Sequence, residues 1–104
     1  MKFNIVYITF GNKDQANEIG KILVSERLVA CVNIIDNINS IYWWDGKIQN
    51  DNEVVLIAKT RDSLVSKIIE RVKSLHSYTC PCVVSLPITG GNKDFLKWIQ
   101  KETQ

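Results

Sequence analysis

Ile41-Tyr42-Trp43-Trp44-Asp45-Gly46-Lys47-Ile48 is the stretch on which the fold turns. Asp45-Gly46 supplies the two positive-φ residues of a type I′ hairpin turn. It is flanked by Val29 to Trp44, rich in Val, Ile, Tyr and Trp, and by a returning strand from Lys47 to Thr60. Each arm holds about 15 residues, so at roughly 3.3 Å per residue it reaches about 45 to 50 Å. A compact domain of this length has a radius of gyration near ~13 Å and a diameter of only about 30 to 35 Å. The tip must therefore overhang, and it carries Ile41, Tyr42, Trp43 and Trp44. Amphipathic side chains of that size, left exposed, form an apolar patch of the kind that marks an interface. A symmetric homo-oligomer covers them most economically, because identical hairpins extend one another's sheets and a closed ring leaves no open edge. Packing inside the monomer ranks second for the two tryptophans, and ligand stacking third. Asn50-Asp51-Asn52 interrupts the returning arm and is expected to form a bulge or exposed bend.

Phe3 to Phe10, near the N-terminus, is apolar on both alternating sets, which predicts a central strand covered on both sides. Gly11 breaks it. Asn12, with Gln15 three residues on, begins a helix expected to run from Lys13 to Arg27 on Ala16, Ile19, Ile22 and Leu23. Beyond the hairpin, Arg61 to His76 carries Leu64, Val65, Ile68, Ile69, Val72 and Leu75 at a period of 3.6, a second amphipathic helix. A loop through Tyr78 and Pro81 leads to a short strand, Val83 to Ile88, expected to be buried. Gly90-Gly91 then precedes a last helix built on Phe95, Leu96, Trp98 and Ile99. The order β-α-β-β-α-β plus a C-terminal helix predicts an α+β, ferredoxin-like sandwich with two helices on one sheet face.

The 104 residues, 45% hydrophobic and 23% charged, suit one domain spanning 1–104 that buries enough surface to fold without metal, cofactor or disulfide. Thirteen Lys+Arg against eleven Asp+Glu leave a net charge of +2 with no basic block, which argues against nucleic acid or an anionic membrane as partner. The returning strand Asn52 to Lys59 also lacks the aromatic and basic pattern of RNA-recognition strands. The longest apolar runs, Leu28 to Val32 and Val54 to Ala58, fall far short of the ~20 residues a membrane span requires. Cys31, Cys80 and Cys82 cannot all pair within one chain, and no cleavage-like segment follows the first strand, so the expected location is a reducing cytoplasm.

The hairpin residues Ile41 to Ile48 resemble the signature of the CutA divalent-cation tolerance family. Glu26 to Asn33, Lys59-Thr60-Arg61, the His76 to Pro81 loop and Leu86-Pro87-Ile88 through Trp98 resemble family segments at matching spacing. The resemblance implies a homotrimer of ferredoxin-like subunits, similar in architecture to the PII signalling proteins. It implies a role in tolerance to divalent metals, copper above all, and no enzymatic activity. By analogy with the effector clefts of PII-like trimers, Trp44, Glu53, Lys59 and Tyr78 are the expected ligand-cleft residues. The family's described copper ligands, a Cys on the first strand and two adjacent His closing the second helix, fall on Ile8, Leu75 and His76, so two of three donors are lost.

The donors suited to copper are His76, Cys31, Cys80, Cys82 and Met1, since imidazole nitrogen and soft sulfur favour that metal. Cys80-Pro81-Cys82 places two thiols at i and i+2, directed the same way if Cys82 begins a strand. His76, Cys80 and Cys82 are therefore the candidate metal ligands, against the plainer reading of free thiols and a helix-end imidazole near the last carbonyls. Cys31 is assigned to the core. A thiolate with His76 is the one conceivable nucleophile pair, and no carboxylate orients the imidazole, so the chain is not read as an enzyme. Three functions follow: a metal-response trimer, a PII-like regulator binding a small anionic metabolite between subunits, and a structural scaffold.

Overall fold

In the computed structural model, which describes Met1–Gln104, β1 (Phe3–Phe10) lies inside a four-stranded sheet as expected, but it is fully covered on one side only, since Phe3, Ile5 and Tyr7 are half-buried. It is followed by α1 (Lys13–Ser25), β2 (Cys31–Trp44), β3 (Lys47–Arg61), a 3-10 turn at Asp62–Leu64, α2 (Val65–Leu75), β4 (Val83–Ile88) and α3 (Lys93–Glu102). The strand order is β2-β3-β1-β4 and every neighbouring pair is antiparallel.

Register decides which side chains form the core. Val6, Ile8 and Phe10 of β1 stand opposite Ala58, Leu56 and Val54 of β3. All six are buried, with Ala16, Ile19 and Leu23 of α1 and Ile68 and Val72 of α2 packed over them. Fully burying one such aliphatic or aromatic side chain contributes about 1.5–3 kcal/mol. Gly20 lets α1 approach closely, since a Cβ there would lie 3.2 Å from both Leu56 Cδ1 and Val32 Cγ2.

The opposite sheet face is only partly covered. Ile5, Tyr7 and Ile57 are half-buried, while Ile35, Val84 and Leu86 are exposed. α3 docks at one end of β3, where Arg61 Nε donates to Thr103 Oγ1 at 2.8 Å and Ile99 is buried. The expectation that Val83 to Ile88 is buried is thus corrected. β4 is an edge strand paired only with β1, and no helix covers the face bearing Val84 and Leu86. Pro87 fits that edge, where a missing amide donor is tolerated.

The hairpin turns at Asp45 and Gly46 with φ of 54° and 75°, the two positive values the dipeptide implies. Its tip stands clear of the body: Trp43 is 71% exposed and Ile41 67%, and the molecule measures 44 × 25 × 22 Å. The expected bulge at Asn50 to Asn52 is not found there, because those residues pair regularly with Ile41, Ser40 and Asn39. The irregularity falls on the other arm, between Ile35 and Ile38, where β2 carries one more residue than β3. Asn37 adopts φ 60° and its amide donates to Asp36 Oδ1 at 2.7 Å. Asn tolerates that left-handed geometry far better than the β-branched residues around it.

Two helix limits also shift. α1 starts as expected, with Asn12 Oδ1 accepting from the Gln15 amide at 2.8 Å. It ends at Ser25 rather than Arg27, because Arg27 takes φ 58° and turns the chain out of the helix. α2 begins at Val65 after the 3-10 turn, and His76 is already extended at its C-terminal end. No helix is long and apolar enough to cross a membrane.

Candidate functional site

Where the hairpin leaves the body, the loop following α2 folds back against it and encloses a cleft of about 610 Å³. His76 fixes that loop. Its ring is buried and stacks on Phe10, with centroids 4.7 Å apart and planes 8° from parallel. The Tyr78 amide donates to His76 Nδ1 at 3.0 Å, so Nδ1 is the acceptor and Nε2–H donates to the Thr9 carbonyl at 2.7 Å. The imidazole thereby ties β1 to the loop and sets Tyr78 in place. Gly11 leaves room for that ring, since a Cβ there would sit 3.2 Å from Tyr78 Oη.

Tyr78 Oη donates to Glu53 Oε2 at 2.7 Å, joining the loop to β3. Glu53 is 9% exposed, on β3 opposite Ile38 and directly beside the β2 bulge. Burial, and then the bond to Glu53, push the Tyr78 phenol well above its ordinary value, so it stays a neutral donor. Tyr42 Oη donates to Asp51 Oδ2, which likewise raises the Tyr42 phenol. Ile41, Tyr42 and Trp44 from β2, together with Cys80 and Cys82 from the loop, complete the cleft walls.

Of the expected ligand-cleft residues, Trp44, Glu53 and Tyr78 are brought together and Lys59 is not. Lys59 pairs with Cys31 and Ile5 farther along β3, and its ammonium donates to Asn33 Oδ1. Cys80 and Cys82 both line the cleft as free, exposed thiols, whereas His76 lies behind Tyr78 with both ring nitrogens occupied. His76 does close α2, its amide donating to the Val72 carbonyl at 2.8 Å, but its imidazole contacts a β1 carbonyl rather than the last carbonyls of its own helix. No three His, Cys, Asp or Glu side chains in the chain are grouped to hold a metal ion. Ile8 is fully buried and Leu75 packs against the core, so two of the positions carried over from the family's copper site are hydrocarbon here. Cys31 is half-buried at the start of β2.

Tyr42 and Asp51 were absent from the expected cleft. Their relation is readable nonetheless: with Asp45-Gly46 setting the register, Ser40 faces Asp51 and Tyr42 is its diagonal neighbour on the same face.

Residues 4–102 match the family model described as CutA1 divalent ion tolerance protein. The chain belongs to the CutA1 family. Protein CutA 1, chloroplastic, of Oryza sativa is 46% identical over 100 residues, covering 96% of this chain and 56% of that protein. The chain thus spans about half the length of the plant relatives it matches. The divalent-cation tolerance protein CutA of Thermus thermophilus is 46% identical over 99 residues, 95% of this chain and 96% of its own. The crystal structure of CutA1 from Oryza sativa superposes with a TM-score of 0.97 at 44% identity, covering 100% of this chain and 95% of that one. A CutA structure from Archaeoglobus fulgidus, described as a periplasmic divalent cation tolerance protein, gives a TM-score of 0.95 at 41% identity, with 98% and 99% coverage. The family and its bacterial relative are thus both described by tolerance to divalent ions.

Proposed function

We propose that this chain is a ferredoxin-like subunit of a PII-like homotrimer that serves divalent-metal tolerance in the cytoplasm, without catalysis, with copper as its metal. Membership of the CutA1 family supports the tolerance role. The observation that carries the assembly is the exposed hairpin tip, Ile41, Tyr42, Trp43 and Trp44, standing clear of a sheet whose second face also exposes Ile35, Val84 and Leu86. Apolar surface of that extent is what an isologous or ring contact covers. Two free thiols one residue apart on an accessible loop are soft donors of the kind that suit Cu(I), which supports copper as the metal. Three unpaired cysteines favour a reducing compartment.

Calorimetric titration with Cu(I) tests the metal reading on the unmodified chain and on Cys80→Ser/Cys82→Ser. The thiols are expected to dominate, so the double variant loses most of the heat. Equal binding by both proteins overturns the assignment of copper to this loop.

A second reading is favoured by the cleft itself. At about 610 Å³ it falls within the range that receives small molecules, and a buried carboxylate and three aromatic rings converge on it. It is a candidate effector site, and a thermal-shift screen in which no metabolite moved the melting temperature would count against it.

A further inference from the structure

The loop after α2 carries both of the chain's exposed thiols, and its two ends are pinned to one residue of β1. The Thr9 carbonyl accepts from His76 Nε2 at 2.7 Å, and the Thr9 amide donates to the Cys82 carbonyl at 3.4 Å. Between those anchors Tyr78 is tied to Glu53. Cys80 and Cys82 thus sit on a short, fixed segment and border the same cleft. Pro81 between them sets its own φ and keeps Cys80 out of the helical region. Two extended residues span no more than roughly 7 Å, at the upper edge of the ~4.4–6.8 Å between Cα atoms that a disulfide bridges. Joining Cys80 to Cys82 therefore needs only a slight contraction of the segment. A ring that small strains the bond, and a strained, exposed disulfide is readily reduced again. Cys31 is a poor competitor, half-buried at the start of β2.

We propose that Cys80 and Cys82 form a reversible dithiol–disulfide site, oxidised by a small-molecule disulfide of the glutathione class. One cysteine thiolate attacks a sulfur of that disulfide, whose S–S bond breaks and releases the first small thiol. The other cysteine then attacks the mixed disulfide, forms the Cys80–Cys82 bond and releases the second. Two protein thiols are oxidised, one small disulfide is reduced, and the two protons pass from the protein thiols to the released thiols. Neither step draws on Ile41, Tyr42 or Trp44, the cleft walls that further copies of the chain cover. The second step is internal to the loop, so the oxidant has to reach only one of the two sulfurs. The consequence for metal rests on the copper reading given above. Metal is held by thiolate, so closing the disulfide withdraws both soft donors together. The loop then releases its ion when the surroundings turn oxidising and recovers its donors on reduction.

The experiment holds the full chain, reduced, metal-free and in its native assembly, in a series of mixtures of reduced and oxidised glutathione. Remaining thiols are alkylated after an acid quench, and the protein is read by intact mass and by its tryptic peptide Ser74–Lys93, which contains both cysteines. That peptide is expected to become two hydrogens lighter and to carry no glutathione, with Cys31 still alkylated and the change reversed by dithiothreitol. Cys80→Ser and Cys82→Ser each remove the second step, so each is expected to stop at a stable glutathione adduct on the cysteine that remains. Thiols that stay reduced in the assembled protein, stable adducts on the unmodified chain, or links between separate chains overturn the proposal. Anaerobic calorimetry with Cu(I) on the reduced and oxidised forms then separates it from the copper reading. Oxidation is expected to weaken Cu(I) binding by about tenfold or more. Equal binding by the two forms overturns the effect on metal, whereas a reduced form that binds no Cu(I) sinks the copper reading and leaves the disulfide standing.

Discussion

The two faces of the sheet start from similar alternating apolar sequence and end in opposite states. On one, Val6, Ile8, Phe10, Leu56 and Ala58 disappear beneath α1 and α2. On the other, Ile35, Val84 and Leu86 stay exposed, and β2 and β3 run on into a tip where Trp43 and Trp44 lie open. The difference lies in helix supply. Two amphipathic helices cover one face, while the short α3 reaches only one end of the other. An apolar strand pattern therefore marks a surface that something must cover, and the covering can come from outside the chain.

That contrast can be broken most forcefully in the core. Leu56→Ala is expected to cost about 2–5 kcal/mol, read by urea denaturation at fixed protein concentration. Trp43→Ser at the tip is expected to alter the subunit's own fold by less than about 0.5 kcal/mol while reducing the assembled mass. If the two variants unfold alike, covered and open faces are not energetically distinct. His76→Ala is expected to follow, at about 2–4 kcal/mol, because it removes the stack on Phe10 and strands the Thr9 carbonyl and the Tyr78 amide. Faster hydrogen exchange at Tyr78 would localise the loss to the cleft loop.

The turn gives a smaller effect. Gly46→Val places a β-branched residue at φ 75° and is expected to cost about 1–2 kcal/mol, with no neighbour within 4 Å to add a clash. The smallest effect concerns pH. Folding raises the Tyr78 phenol, so the folded state keeps a proton that the unfolded chain releases at about pH 10. Stability from this group is complete below that pH and declines as pH climbs through the folded value. Tyr78→Phe should flatten the alkaline limb of a melting-temperature profile.

Much of this was legible in the residues. Asp45-Gly46 located the turn, the doubly apolar Phe3–Phe10 placed β1 inside the sheet, and Asn12 with Gln15 started α1. Local chemistry suffices where one dipeptide or one alternation admits a single geometry. The bulge was misplaced because Asn50-Asp51-Asn52 and Asp36-Asn37 are both polar breaks, and only cross-strand register tells which arm holds the extra residue. Lys59 was counted in the cleft on analogy, whereas Asn33 on the neighbouring strand engages it. His76 is the helix-end residue that the sequence suggests, but its ring's partner, the Thr9 carbonyl, lies 67 residues away in sequence and was not legible. In each case the deciding contact is tertiary.

Sedimentation equilibrium of the unmodified chain at micromolar concentration tests most directly whether the open face and the hairpin tip are covered by further copies. Three times the chain mass is the expected result, with Trp43→Ser/Trp44→Ser shifting the distribution toward the single chain. A stable lone subunit that keeps its indoles in water and does not associate would contradict it.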